Sequence, residues 1–398
     1  MRQSAALLLI LLVLPCTAMA APAISGVTRG LWLRQVDSRT LPAATLTSGS
    51  ARLQLETDLG ANIRFEAAAQ HNRLYLSVPA PLPAASRTNR RFRLEKNHDD
   101  TGVNRATTEV DRLLLRWQGR DNRLILGRQA IGFGRVLLFS PLDVIAPFAP
   151  DAVDTDYRPG VDALLFSHYL DRGGEIGLYA VWGDESLHNS RLASYDGRLG
   201  SVDLLVLAGS LRDRSMAGLG LAGDLGGLGW RLEATGYRGT RIGQPGGDLD
   251  RHIVMGAFEL MYRFSGDVTL IAEWLHNGAG HSNPADAPRV QTSAFVTEGM
   301  TFFTGRNELL LAPSWQVHPL VEASLLAIVN LDDHSWQLRP LAAISLADNV
   351  ELQLFATFYG GRSPRPGPAP GLTVARSEFG GRGVSFGSFL SWHFQAAP

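Results

Sequence analysis

Cysteine is all but missing: Cys16 is the only one in 398 residues. This excludes a disulfide framework, a thiolate metal site and a cysteine nucleophile. Lysine is as scarce, with Lys96 alone, so arginine carries almost all the basic charge. Neither sign is in surplus, 37 basic residues standing against 38 acidic ones. That balance leaves out the basic footprint of a nucleic-acid binder. Past residue 20, no apolar run reaches the ~20 residues of a membrane-spanning helix. Helical periodicity is nearly absent, and so is the zinc pattern His-Glu-x-x-His. The Gly/Pro-rich stretches Gly243–Asp250 and Gly360–Gly371 lack the strand-then-helix context of a phosphate cradle. They read as mobile external loops.

Export and alternation are what the sequence does contain. "MRQSAALLLILLVLPCTAMA" has a cation at Arg2, an apolar centre from Ala5 to Leu14, and Ala18-Met19-Ala20 before Ala21. This is the pattern of a cleaved secretory signal, 1–20, with 21–398 expected to form a single domain. Period-two alternation then recurs to the end of the chain. "RLQLETDL" sets Leu53, Leu55 and Leu59 against Arg52, Gln54, Glu56 and Asp58. "LGWRLEATGY" sets Leu228, Trp230, Leu232 and Ala234 against Arg231, Glu233, Thr235 and Tyr237. Such a chain suits either a large soluble sandwich or propeller, or a closed barrel in an outer membrane. In lipid every backbone polar group must be satisfied within the protein, so only a closed sheet serves, apolar outside and polar inside.

The barrel demands an even strand number, with short turns at one end and long loops at the other. Placing both termini at the periplasmic end gives segments near 24–36, 50–58, 62–78, 107–118, 123–133, 161–169, 175–182, 189–196, 201–211, 216–223, 228–237, 252–264, 268–276, 306–317, 320–331, 335–346, 350–359 and 384–394. The expected fold is therefore all-β, a transmembrane antiparallel up-and-down barrel of about eighteen strands, sixteen being the nearest rival. The tryptophans sort into two belts. Trp117, Trp230, Trp315 and Trp392 fall at one end of their strands, Trp182, Trp274 and Trp336 at the other, and Trp32 is unassigned. Indole favours the headgroup level, so two aromatic girdles are expected of a membrane barrel.

The last segment, "GVSFGSFLSWHF", resembles the carboxy-terminal insertion signal of Gram-negative outer-membrane barrels, carried here by Ser385, Gly387, Leu390, Trp392 and Phe394. It departs from that pattern in its tail, Gln395 to Pro398. The stretch from Leu124 to Phe166 resembles a segment of porin-like barrels: Gly127-Arg128-Gln129, a turn with Gly132 and Gly134, Pro141 and Asp143, then Arg158-Pro159-Gly160 and Asp162. "NLDDHSWQLRP", Asn330 to Pro340, resembles another hairpin of such proteins and reads as a tight, solvated turn. The resemblance implies a porin-like family, outer-membrane lipid and the barrel-assembly machinery as partners, and a location in the outer membrane.

Loop 134–160 is too apolar to stand in water, with Val136, Leu137, Leu138, Phe139, Val144, Ile145 and Phe148 all needing burial. A barrel of this size leaves an aqueous channel, and its mouth is the simplest place to bury them. The expectation is an inward-folded constriction loop. Asp143, Asp151, Asp154 and Asp156 would then face Arg112, Arg116, Arg128 and Arg158, with Arg128 and Asp143 foremost. Opposed charges across a pore sort solutes by charge and dipole. The wall charges are mixed, so no strong ion preference is expected. His168, His252, His276, His334 and His393 lie in or beside strands and read as interface or lumen residues. No catalytic group, cofactor or metal is assigned. The reading is a passive channel for small polar solutes. The alternatives are an outer-membrane barrel hydrolase, or a plugged barrel acting in attachment or assembly. The sequence identifies no self-association face, so the oligomeric state stays open.

Overall fold

The computed structural model describes residues 21–38, 42–78, 90–148, 156–367 and 373–396; the expected leader, 1–20, lies outside them. Eighteen antiparallel strands close into one barrel. In chain order the elements are β1 (Ala23–Gln35), β2 (Ala44–Gly60), β3 (Ile63–Leu76), β4 (Glu95–Asp100), β5 (Asn104–Gln118), β6 (Asn122–Gln129), β7 (Val161–Tyr169), β8 (Glu175–Trp182), β9 (Ser190–Leu199), β10 (Val202–Leu211), β11 (Arg214–Leu225), β12 (Leu228–Arg238), β13 (His252–Phe264), β14 (Val268–Asn277), β15 (Asn307–His318), β16 (Val321–Asn330), β17 (Trp336–Ala347), β18 (Val350–Gly360), β19 (Arg365–Pro366), β20 (Thr373–Val374) and β21 (Ser385–Gln395). Each stave pairs with the next, and β21 closes the ring between β18 and β1. The segments 61–62, 119–121, 170–174, 200–201, 226–227, 265–267, 319–320 and 348–349 turn at one end, and the longer connections lie at the other. β4 is no stave: it pairs with the part of β5 that the short β6 leaves uncovered, while β19 and β20 form a separate two-residue hairpin.

Side-chain parity follows from the pleat. On β12, Leu232 is exposed while Glu233, Thr235 and Tyr237 are buried. On β21, Phe386, Leu390 and Trp392 are exposed, whereas Ser385, Gly387, Phe389 and Ser391 turn inward and are buried. Trp32, Trp117, Trp182, Trp274, Trp315, Trp336 and Trp392 are all exposed on the outer surface. Trp32 joins the belt at the long-loop end, beside Phe386 at 5.7 Å.

The expected strand count holds, and 161–169, 175–182 and 252–264 have the expected bounds. Four features differ. β4 was not foreseen, because "EKNHDD" contains no apolar residue and is held by backbone pairing and polar side-chain contacts to β5. The long loop before β15 carries two short helices, α1 (Ala287–Gln291) and α2 (Ala294–Thr297). The loop 239–251 is anchored, since Asp248 is buried against Arg214 at 2.7 and 2.8 Å. Finally, the interior is only partly wet. The inward faces of β7 through β16 carry a packed apolar cluster that includes Val161, Leu207, Met255, Leu275, Leu310 and Ile328.

An outward charge at mid-strand should therefore be costly. Leu53 is 56% exposed on the outer face. Leu53→Arg is expected to destabilise the barrel by about 2–4 kcal/mol in a bilayer, read by denaturant unfolding in liposomes. Gln54→Arg, turned to the lumen, should change stability far less. Equal losses would mean that the parity is misassigned.

Candidate functional site

The described parts of the connection between β6 and β7, residues 130–148 and 156–160, leave the sheet and enter the barrel. The outgoing arm lies against the far wall, where three consecutive strands each present one buried glutamate: Glu233 on β12, Glu259 on β13 and Glu273 on β14. These carboxylates accept the loop's backbone N–H groups. Glu233 Oε1 takes Arg135 N and Val136 N at 2.6 and 2.9 Å, and Oε2 takes Ser140 Oγ and Leu142 N at 2.5 and 3.1 Å. Glu259 takes Leu137 N at 2.7 Å, and Glu273 takes Phe139 N at 3.1 Å. Each accepting oxygen thus satisfies a backbone N–H that would otherwise be buried without an acceptor. The apolar side chains between these N–H groups fill the cluster, with Phe139 edge-on to Phe303 at 5.6 Å. Leu142 is fully buried over Gly218 and Gly220 of β11. A Cβ at those positions would stand 2.5 and 2.7 Å from its methyl groups, so two glycines on the inward parity make its groove.

The returning arm crosses to the opposite wall. Tyr157 sits under the Arg29 and Arg52 guanidiniums, 4.8 and 4.1 Å from its ring centre. Asp156 binds Arg29 at 3.1 Å and lies 3.8 Å from His393. Arg112 Nη2 donates to the Arg158 carbonyl at 2.6 Å, and its Nη1 meets Asp111, which also holds Arg52 at 3.1 Å. Arg158 pairs with Asp143 inside the loop and donates to the Ala146 carbonyl at 2.7 Å. Burial raises the Asp143 carboxyl above the usual range, against the opposing pull of Arg158.

The outer connections hold the loop from above. Arg212, in the β10–β11 turn, donates to the carbonyls of Ile145 and Glu298, while Arg214 binds Asp248 and Glu298, and Arg241 binds Glu298 at 2.7 Å. Complete burial pushes the Arg212 guanidinium down to about 10, so it stays cationic at neutral pH.

The expected site residues therefore separate. Asp143, Asp156, Arg158, Arg112 and the half-buried Arg116 lie on the loop or on the inward faces beside it. Asp151 and Asp154 lie outside the described residues. Arg128 lies elsewhere. Its neighbours Leu124 and Leu126 on the same parity are exposed, and it stands opposite Asp162 across β6 and β7, on the outward side. There it is bidentate to Asp162 at 2.8 and 3.0 Å and donates to the carbonyls of Val110 and Phe92. All three of its guanidinium nitrogens are thereby engaged away from the lumen. The sequence reading took Glu233 and Glu273 as ordinary wall charges and did not single out Glu259, Arg29 or Tyr157. A signal was available for two of the glutamates: the inward positions beside Glu259 and Glu273, Ala257 and Met261 on β13 and Ile271 and Leu275 on β14, are apolar, which a wet wall does not need. The Asn330–Ser335 turn, read as solvated, has Asp333 buried and bound to Glu378 N at 2.7 Å.

Among the described residues no group of three or more His, Cys, Asp or Glu is placed to hold a metal ion. By letters, Gly383-Val384-Ser385-Phe386-Gly387 has the spacing of a nucleophile elbow. Ser385, however, opens a barrel strand rather than a strand-to-helix turn, which is the geometry such an elbow requires.

No family model matches the chain, and no curated protein matches it. Solved structures do. Acinetobacter baumannii OccAB4 aligns with a TM-score of 0.60 at 10% identity, over 95% of this chain and 99% of that one. Pseudomonas aeruginosa OccK5 (OpdH) gives 0.58 at 10% over 94% and 98%, and Pseudomonas aeruginosa OpdL 0.58 at 14% over 94% and 99%. These neighbours are outer-membrane porins. Along nearly its whole length, then, this chain has the fold of the Occ and Opd porins.

Proposed function

We propose that the chain is an outer-membrane porin, a passive channel for small polar solutes narrowed by its inward loop. The observation that carries this reading is exposed charge on one inner wall. Arg64 and Glu56 turn inward from β3 and β2, yet their side chains are 47% and 39% exposed. Exposed charges inside a closed barrel need a wet lumen, and the docked loop leaves that side open. The fold shared with porins supports the same reading.

We assign the narrowest passage to the level at which the returning arm crosses the lumen to reach the β1–β5 wall. Arg112, Arg116, Asp156 and Arg158 border it, and Arg29, Arg52 and Tyr157 fix the arm in place. Asp143 acts through Arg158 by holding that side chain back against the loop. Asp151 and Asp154 belong to the stretch between the two arms and are kept as candidates. Arg128 is reassigned to bracing the loop's point of departure. Residues 1–20 serve as the cleaved export signal. The exposed aromatic face of β21 serves as the feature read by the barrel-assembly machinery.

Two measurements test this. Purified protein in planar bilayers should give stable single-channel steps, and deleting residues 137–148 should raise their conductance. A folded barrel that stays silent would favour the plugged or enzymatic alternatives, and unchanged conductance after deletion would remove the loop from the constriction. The second is Glu233→Ala, which strips the acceptor from three backbone N–H groups and one hydroxyl. At about 1–3 kcal/mol for each buried group left unsatisfied, the outgoing arm should undock. Larger and noisier currents are expected while the barrel still migrates as folded on an unheated gel. Wild-type currents would show that the carboxylate does not hold the arm.

A further inference from the structure

At the long-loop rim stands a carboxylate without a donor. Glu308, the second residue of β15, is fully buried, and neither of its side-chain oxygens has a hydrogen-bond partner. Beside it is Glu378, from the connection between β18 and β21. A methyl built on Gly305 would collide with Glu308 Oε1, Glu378 Oε2 and Asn330 Nδ2 together, so both carboxylates crowd one point. Glu378 is already satisfied as an anion. Its Oε1 accepts Thr304 N and Oγ1 at 2.7 and 3.1 Å, and its Oε2 accepts Gly305 N and Asn330 Nδ2 at 3.1 and 2.8 Å.

No positive charge reaches this point from the surrounding elements. Arg306, next in the chain, turns its Nη2 to the Gly280 carbonyl. His281, buried in the loop before β15, is held below its usual range by burial and is neutral. The other charged groups facing the pair, Asp332 and Asp333 of the β16–β17 turn, are acids whose oxygens take backbone N–H groups from Asn307, Ser335 and Glu378. Two buried like charges in contact cannot both persist, and a buried anion without a donor is costly. A cation is a poor remedy here, because Thr304 N–H, Gly305 N–H and the Asn330 amide already point into the site. A proton supplies the missing donor.

We propose that Glu308 and Glu378 share one proton. The resulting carboxyl–carboxylate hydrogen bond latches the stretch around Glu378 onto the rim and opens as pH rises. The Glu308 hydroxyl donates to Glu378, which through its other bonds gathers Thr304, Gly305 and Asn330. Three connections thus meet on one carboxylate. The closed arrangement holds one more proton than the open one, so its stability falls with rising pH. When base removes the proton, two adjacent anions remain, and the stretch bearing Glu378, which lies in a connection while Glu308 is fixed in a strand, is the part that moves.

The test needs no channel activity, so it is separate from the porin reading. Arg376 and Arg382 flank Glu378 and are exposed. Trypsin cleavage there, in detergent-folded protein, should speed up several-fold between neutral and alkaline pH. In Glu308→Gln, whose amide donates without ionising, it should stay slow at both; this variant also corrects for trypsin's own pH dependence. Infrared spectra of the wild type should show a protonated-carboxyl band at neutral pH that fades on alkalinisation. Glu308→Gln and Glu378→Gln should each lack it, so the latch remains testable if either variant fails to fold. Parallel cleavage in wild type and Glu308→Gln would overturn the proposal, as would absence of the band. Opening by a chelator at constant pH would mean a bound cation and would overturn it equally.

Discussion

A chain segment that leaves a β-sheet and enters a barrel carries backbone N–H groups that no neighbouring strand can satisfy. Each one buried without an acceptor costs about 1–3 kcal/mol, so a loop cannot lie against an apolar wall on hydrophobic contact alone. Here Glu233, Glu259 and Glu273 meet that demand from adjacent strands. Buried carboxylates need donors, and a buried loop needs acceptors, so each makes the other tolerable. The apolar side chains between the N–H groups are then free to pack, and Leu142 can sink over Gly218 and Gly220.

This docking divides the interior. From β7 to β16 the inward face is a packed core that includes the loop and parts of the outer connections. On β1, β2, β3 and β5 much of the inward face is polar, with Arg29, Arg52, Gln54, Glu56, Glu66 and Arg112 held by ion pairs and side-chain hydrogen bonds. The returning arm reaches the polar half with Tyr157 between two guanidiniums, a contact that suits a wall rich in arginine. A channel on this plan is wet on one side and dry on the other. Its width is set by where the loop stops.

The staves were legible because lipid outside and the pleat together enforce a period of two, and the outward positions obey it on every strand compared. Phe389 breaks the alternation of small inward residues on the last strand, because it faces inward as a bulky residue and is buried. The inward burial of the loop was legible from its apolar side chains. Its partners were not. A glutamate on an inward position looks the same whether it meets water or a backbone N–H; the apolar neighbours of Glu259 and Glu273 distinguish the cases, while Glu233, between Arg231 and Thr235, carries no such signal. Arg128 misled for a related reason. A strand-end arginine next to a glycine turn suggests a lumen charge, but parity sends it outward.

That outward arginine explains why the loop departs where it does. β6 is only eight residues long, so β5 keeps an unpaired edge above it, and β4 takes up that edge. Arg128 and Asp162 stand opposite each other at the last paired rungs of β6 and β7, on the face that would otherwise meet the membrane interface. Left bare, an ion pair there is screened and weak. Covered, it is a firm cross-strand tie, and the segment from Arg90 to Leu94 covers it. Phe92 N binds Asp162 at 2.8 Å, the Phe92 carbonyl takes Arg128, and Arg90 Nε donates to the Gly160 carbonyl at 3.0 Å. The point at which the loop leaves the wall is thus clamped from outside, while its path is clamped from inside by the glutamates. With both ends of β6–β7 fixed and the outgoing arm bound at three strands, the returning arm has little freedom in depth. The position of the constriction along the channel is therefore a consequence of strand length as much as of loop sequence.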